Sequence, residues 1–206
     1  MAGHPDAPVA LFEREGDRYV PSVLTTGPWQ SDAMHGGPPA ALVGRAAEEH
    51  CRDDEWVARL TIELERPVPL APLTAATSRR DVSRRVAHVD IPLPTDVGVV
   101  VSARALVLRR SDLPSPAWAP EPTASPVLAA DRRADVPAWA SGEVPSTYHQ
   151  HAVEHRMPPG SAFTSPGPAT SWIRLLYPLV AGEEPSGLCR VLAAADFGSG
   201  ISAIYR

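Results

Sequence analysis

Apolar positions recur in two rhythms along this chain, and the rhythms divide it into elements. Between Val57 and Arg66, Leu60, Ile62 and Leu64 alternate with Thr61, Glu63 and Glu65. A period of two predicts a half-buried strand with one wet face, ended here by Pro67, Pro69 and Pro72. Val97 to Arg109 is a second strand, in which Val99, Val100 and Val101 lead into Ala103, Ala105, Leu106, Val107 and Leu108. Gly98 stands where a bulge or entry turn would fall. Leu73 to Arg80 and Arg85 to Ile91 alternate less strictly and predict two more strands, joined near Asp81-Val82-Ser83-Arg84. Upstream, Phe12, Tyr19 and Val20 flank a Gly16-Asp17 turn, which predicts a short hairpin or a strand preceded by a turn.

The rhythm changes between Gly27 and Glu49. A loop, Gly27-Pro-Trp-Gln-Ser-Asp-Ala-Met-His35, leads to Gly36-Gly37, then Pro38-Pro39, then a run of small apolar residues from Ala40 to Ala47 whose one charge is Arg45. Proline suits a first helical turn, where its missing N–H would have no partner. A helix with so little side-chain bulk is explained by burial on nearly every side. Its start offers backbone N–H groups and a positive dipole end, where a carbonyl oxygen or an anion can be held. The plainer reading is a tight turn feeding a packed helix.

From 111 to 146, seven prolines fall among Ser, Ala and charged residues. Regular sheet does not tolerate that density, so the segment reads as a linker, with Trp118 and Trp139 pinning it to a surface. The first pattern then restarts. Thr147 to Met157 and Ala169 to Val180 are strand-like, Gly182 to Ser186 is a turn, and Gly187 to Asp196 is again a small-residue apolar helix. Three strands would follow such a helix by analogy with the first half, and the sequence ends before them. The expected division is a first module over 1–110, a Pro-rich linker over 111–146, and a partial second module over 147–206. The expected class is α+β, an antiparallel sheet wrapped round one long helix.

Composition narrows the partners. A net charge of −5 gives no reason to expect nucleic acid. No run approaches the ~20 apolar residues that span a bilayer, and the start has no basic n-region, so a soluble cytoplasmic protein is expected. Cys51 and Cys189 have no CxxC or Cys-His spacing, which points away from a disulfide scaffold. All 19 basic residues are Arg, a coding bias with little bearing on function.

Several segments together resemble one family. They are Gly27-Pro-Trp29, Met34-His-Gly-Gly-Pro-Pro-Ala-Ala-Leu42, Arg59-Leu-Thr-Ile-Glu-Leu-Glu-Arg-Pro-Val68, Ser171-Trp-Ile-Arg174, Pro185-Ser186 and Ala195-Asp-Phe-Gly198. In this order they are similar to the acyl-CoA thioesterase II-like family in its actinobacterial form. The resemblance implies a double hot-dog fold, two modules in tandem, the second incomplete here. It implies hydrolysis of the thioester of acyl-CoA, with no metal or redox cofactor. The family's catalytic set resembles an Asp on the second helix, with a hydroxyl and a Gln further on, jointly orienting a water. Asp196 stands at the Asp position; the other two would lie beyond Arg206.

Thioester hydrolysis needs a polarised carbonyl and an activated water. Asp196 is the only acid between Val191 and Phe197, and a carboxylate in apolar surroundings is costly without a hydrogen bond. It is the expected water-orienting group, against a plain helix-end Asp bonded to Ser199 or Ser202. Gly36 and Gly37 are the expected carbonyl or pantetheine contacts, with His35 beside them. His35 is also the base that a hot-dog dehydratase would require, or simply a packed loop residue. His149, His151 and His155 would line one face of a strand, more in keeping with a solvated face than with a metal site. No G-x-S-x-G, G-x-G-x-x-G or P-loop pattern occurs. The rival readings are a non-catalytic acyl-CoA or lipid-binding module, a dehydratase on acyl thioesters, and a remnant that folds on pairing. An unfinished sheet would expose an edge, which leaves a homodimer open.

Overall fold

The computed structural model describes residues 8–112, 148–158, 163, 167, 169–199 and 201. The N-terminal part is two sheets packed about one helix. β1 (Phe12–Glu15) and β2 (Arg18–Pro21) form the expected hairpin, and β2 pairs with the short β4 (Leu73–Thr74). The larger sheet holds β3 (Glu55–Leu64), β8 (Gly98–Arg109), β6 (Val86–Asp90) and β5 (Ser78–Ser83) in that order, with β7 (Leu93–Thr95) also paired to β8. All its pairings are antiparallel. β3 and β8 run in register from Glu55↔Arg109 to Leu64↔Val101, broken once by a bulge between Val57 and Arg59.

Helix α1 (Gly37–Glu48) lies against this sheet with Ala41, Leu42, Val43 and Ala47 fully buried. They share one core with Val89, Ile91, Leu93, Val100, Val101, Ala105 and Val107. Each fully buried branched side chain contributes roughly 1.5–3 kcal/mol, so this shared core stabilises the unit.

The C-terminal elements are a wide helical turn (Tyr148–Ala152), β9 (Val153–Arg156), β10 (Trp172–Leu175) and α2 (Gly187–Ala195), followed by a 3₁₀ turn over Asp196–Ser199. β9 and β10 pair antiparallel, and α2 packs along α1. Ser186 caps α2, its Oγ accepting from Cys189 N–H at 3.1 Å and donating to Glu48 Oε2 at 2.5 Å. Arg45 reaches Glu183 through two N–H···O bonds of 2.7 and 2.9 Å. Phe12 joins the halves through backbone, donating to Leu179 O and accepting from Ala181 N–H, both at 2.9 Å.

Three sequence expectations need correction. Leu73 to Arg80 is not one strand: it leaves the first sheet after Thr74 and enters the second at Ser78. Of Thr147 to Met157, the described residues are strand only over Val153–Arg156. Tyr148–Ala152 forms a wide helical turn instead, and in it the consecutive Tyr148 and His149 are both buried. Ala169 to Val180 is strand only over Trp172–Leu175. Apart from Ser111 and Asp112, the expected Pro-rich linker lies outside the described residues. No helix among the described residues is long and apolar enough to cross a membrane.

Candidate active site

The site gathers where α1 begins and α2 ends. Gly36 precedes the helix with φ −65° and ψ −23°, ordinary values for any residue. Glycine is required for a different reason, close approach. A Cβ on Gly36 would stand 2.7 Å from Asp196 Oδ2, and one on Gly37 would stand 2.5 Å from Ala193 O and 2.9 Å from the Tyr148 hydroxyl. The Gly-Gly pair therefore lets the end of α2 settle onto the start of α1.

Both amides at this helix start face side chains. The Gly36 N–H lies beside the Asp196 carboxylate and favours its ionised form. The Gly37 N–H donates to His35 Nδ1 at 3.1 Å. Asp196 Oδ2 in turn lies 3.2 Å from the same His35 Nδ1. The four residues singled out in the sequence, His35, Gly36, Gly37 and Asp196, are thus in mutual contact, although Asp196 comes from the far end of the chain.

Burial sets the electrostatics. His35 is 8% exposed, and desolvation, with His149 nearby, brings its pKa down to about 3. It is neutral at physiological pH, so its contact with Asp196 is a hydrogen-bonded pair around one proton rather than two opposite charges. Desolvation also raises the Asp196 pKa above the usual carboxylate range, partly offset by the Gly36 N–H. The Asp196 side chain keeps 44% of its surface exposed, so water reaches it.

Around this pair stands an aromatic shell absent from the sequence expectation. Phe197 lies 4.7 Å from the His35 ring and 5.8 Å from Tyr148, centroid to centroid, and Tyr148 lies 4.8 Å from His35. The Tyr148 hydroxyl donates to Ala193 O at 2.7 Å, and burial pushes its pKa up. His149 and His155 pack 5.1 Å apart and both touch Phe197. This corrects the expectation of a solvated histidine face: His149 and His155 are buried and only His151 is exposed. Their sequence spacing suggested one strand face, but the helical turn breaks that alternation.

Gly36, His35 and Asp196 open onto a cleft of about 480 Å³. Its walls are the Gly27–Gln30 turn, Met34, and the end of β3 with its continuation from Leu64 to Val68. Leu64, expected on the buried face of the strand, is 47% exposed because β3 borders this cleft instead of further core.

Residues 25–109, which carry α1 and the larger sheet, match the family of acyl-CoA thioesterase N-terminal domains. That span is less than half of the chain, and over it the chain is similar to this family. Among solved structures, it is similar to a hot-dog protein of unknown function from Alicyclobacillus acidocaldarius, at 20% identity and TM-score 0.63, covering 95% of this chain and 69% of that one. A proposed thioesterase from Novosphingobium aromaticivorans matches at 20% identity and TM-score 0.61, over 91% and 71%. A proposed thioesterase II from Thermobifida fusca matches at 19% identity and TM-score 0.59, over 91% and 70%. Likeness at this identity establishes the fold, the α+β hot-dog expected from the sequence. No curated protein matches the chain.

Proposed function

We propose that this thioesterase-like chain hydrolyses the thioester of acyl-CoA or a related acyl thioester, with Asp196 orienting and deprotonating the attacking water. The observation that carries the reading is the position of the Asp196 carboxylate. It packs against Gly36 and is faced by His35 Nδ1 at 3.2 Å on the wall of an open cleft.

The chemistry follows from the protonation states. The pair holds one proton. When Asp196 is ionised, neutral His35 in its Nδ1–H tautomer donates to Oδ2 and fixes the carboxylate, and the Gly37 N–H, which needs a lone pair on that nitrogen, gives up its bond to it. The free carboxylate lone pairs then accept a proton from water as its oxygen adds to the thioester carbonyl. The tetrahedral intermediate collapses with cleavage of the carbon–sulfur bond. The leaving thiolate takes the proton from the Asp196 carboxyl, giving a carboxylic acid, a free thiol and a regenerated base. A raised pKa makes Asp196 a stronger base than an exposed aspartate. The Gly36 amide serves in this scheme to orient Asp196, so its part in catalysis is positioning. No metal or redox cofactor enters the scheme.

The dehydratase alternative needs His35 as the proton acceptor, and a ring whose pKa has fallen to about 3 is a poor base. Hydrolysis of acyl-CoA by the purified protein, followed as thiol release, tests the proposal. Turnover lost in Asp196→Ala supports it. Turnover retained in Asp196→Ala but lost in His35→Ala would sink it, and binding of acyl-CoA without turnover would favour a non-catalytic module.

A further inference from the structure

Trp29 is 86% exposed, the most exposed large apolar side chain among the described residues. Its position is built. Gly27 N–H donates to Ala33 O at 2.9 Å, Met34 N–H to Val68 O at 2.7 Å, and Leu70 N–H to Asp32 O at 2.8 Å. Thr26 and Met34 also form a bridge. The turn carrying Trp29 is thus fastened at its base and to the segment after β3. An indole presents a large apolar surface, and here a backbone-locked turn holds it in water on the lip of the cleft that Asp196 faces.

The remaining walls say what would cover it. Met34, Leu64 and Val68 line the same cleft as Trp29 and Asp196 and supply its further apolar surface. The charges of the cleft are Glu65, Arg66 and Asp196, two carboxylates against one guanidinium. The Arg66 guanidinium already donates to Val97 O at 3.0 Å. A phosphate-bearing nucleotide is repelled by that balance, whereas an uncharged hydrocarbon is not, and it would cover the exposed surfaces of Trp29 and Leu64. Resting on the thioester reading above, we propose that Trp29 is the outer wall of the acyl-chain site and sets how strongly chain length raises affinity. The nucleotide end of the substrate then lies outside this cleft.

Binding separates this from catalysis. Butyl, octyl and dodecyl thioethers of CoA cannot be hydrolysed, and calorimetric titration of each, and of free CoA, into wild-type protein and Trp29→Ala reads the wall directly. The wild-type protein should bind more tightly as the chain lengthens. Trp29→Ala should weaken the dodecyl thioether by about tenfold, the scale expected for losing a large apolar contact, and leave free CoA unchanged. Trp29→Phe should restore most of the loss, and circular dichroism should show that both variants fold. An equal loss for free CoA would place the nucleotide on the indole and overturn the proposal. So would unchanged chain-length dependence in Trp29→Ala, or thioethers that fail to bind the wild-type protein. A wild-type dimer that becomes monomeric in Trp29→Ala with unaltered binding would assign the indole to a protein contact instead. Thioether binding that depends on Trp29 in a protein without hydrolysis would sink the thioesterase reading and leave the acyl site standing.

Discussion

Asp196 Oδ2 lies 3.2 Å from His35 Nδ1, and the same nitrogen accepts from the Gly37 N–H at 3.1 Å. An ionised carboxylate and a ring lone pair would repel, so the contact requires one shared proton: it sits on Asp196 while Nδ1 accepts from Gly37, and moves to Nδ1 only when that bond is given up. This pair joins the start of one helix to the end of the other, and it places a titrating group at the edge of the cleft.

The first consequence is kinetic. Burial raises the Asp196 pKa, and the proposed base works only when ionised. The acid limb of kcat against pH should therefore have its midpoint above the ~3.9 of an ordinary aspartate. A pH–rate profile on a short-chain acyl-CoA checks this, and a midpoint at or below that value would contradict it.

Acid stability follows from three buried groups. His35 and His155 each have a folded pKa near 3 against 6.5 unfolded, because burial disfavours the cation. The unfolded chain therefore binds more protons below pH 6.5, and the stability these groups supply is lost as pH falls from 6.5 toward 3. Glu55 is held at about 2, chiefly by its hydrogen bonds to Arg79. Its contribution is present above about 4.5 and is lost as pH falls toward 2. Urea unfolding at pH 7, 6, 5 and 4 should show stability dropping by about 1–3 kcal/mol per unit below pH 6. His155→Gln should make that slope shallower.

Two glycines on α1 should differ in their tolerance of a methyl group. A Cβ on Gly37 meets the backbone oxygen of Ala193 at 2.5 Å and the Tyr148 hydroxyl at 2.9 Å; one on Gly44 meets leucine side chains, Leu192 Cδ1 at 2.2 Å and Leu188 Cγ at 3.6 Å. Backbone cannot yield as a leucine rotamer can. Gly37→Ala should cost about 1–3 kcal/mol, the usual scale of overpacking. Gly44→Ala should cost less than about 1 kcal/mol, since better helix propensity offsets part of the strain. Thermal denaturation of both variants gives the order.

Arg45 makes the forked contact to Glu183, donates to the Tyr19 hydroxyl at 2.7 Å, and pairs with Glu49. Lysine keeps the charge and loses the fork. Arg45→Lys should cost about 1 kcal/mol in equilibrium unfolding, and Glu49→Ala, which removes only an exposed partner, should cost less.

The first helix was legible because two prolines after a glycine pair and a run of small apolar residues mark a buried helix; that the end of a second helix settles on its start was not. β3 was legible from its alternation, and β8 from its long apolar, β-branched run. Tyr148, His149 and His155 were not, because their inward direction depends on a helical turn that five residues of mixed character do not announce. Phe197 was quoted only as part of a motif, and its position among three imidazoles arises from tertiary packing. Leu64 misled for a related reason. Alternation marks an apolar face and cannot distinguish a face that meets core from one that borders a cleft.

The account rests on Asp196 as the water-activating carboxylate, and Asp196→Asn tests it most directly. Asparagine preserves shape and can still accept from the Gly36 N–H, so the variant should fold, with a melting temperature equal to or above wild type because a desolvated charge has been removed. Steady-state hydrolysis of acyl-CoA, with thioether binding measured alongside, should show kcat reduced by about 10²–10⁴-fold and binding within a few-fold of wild type. Hydrolysis at the wild-type rate with binding intact would contradict the assignment.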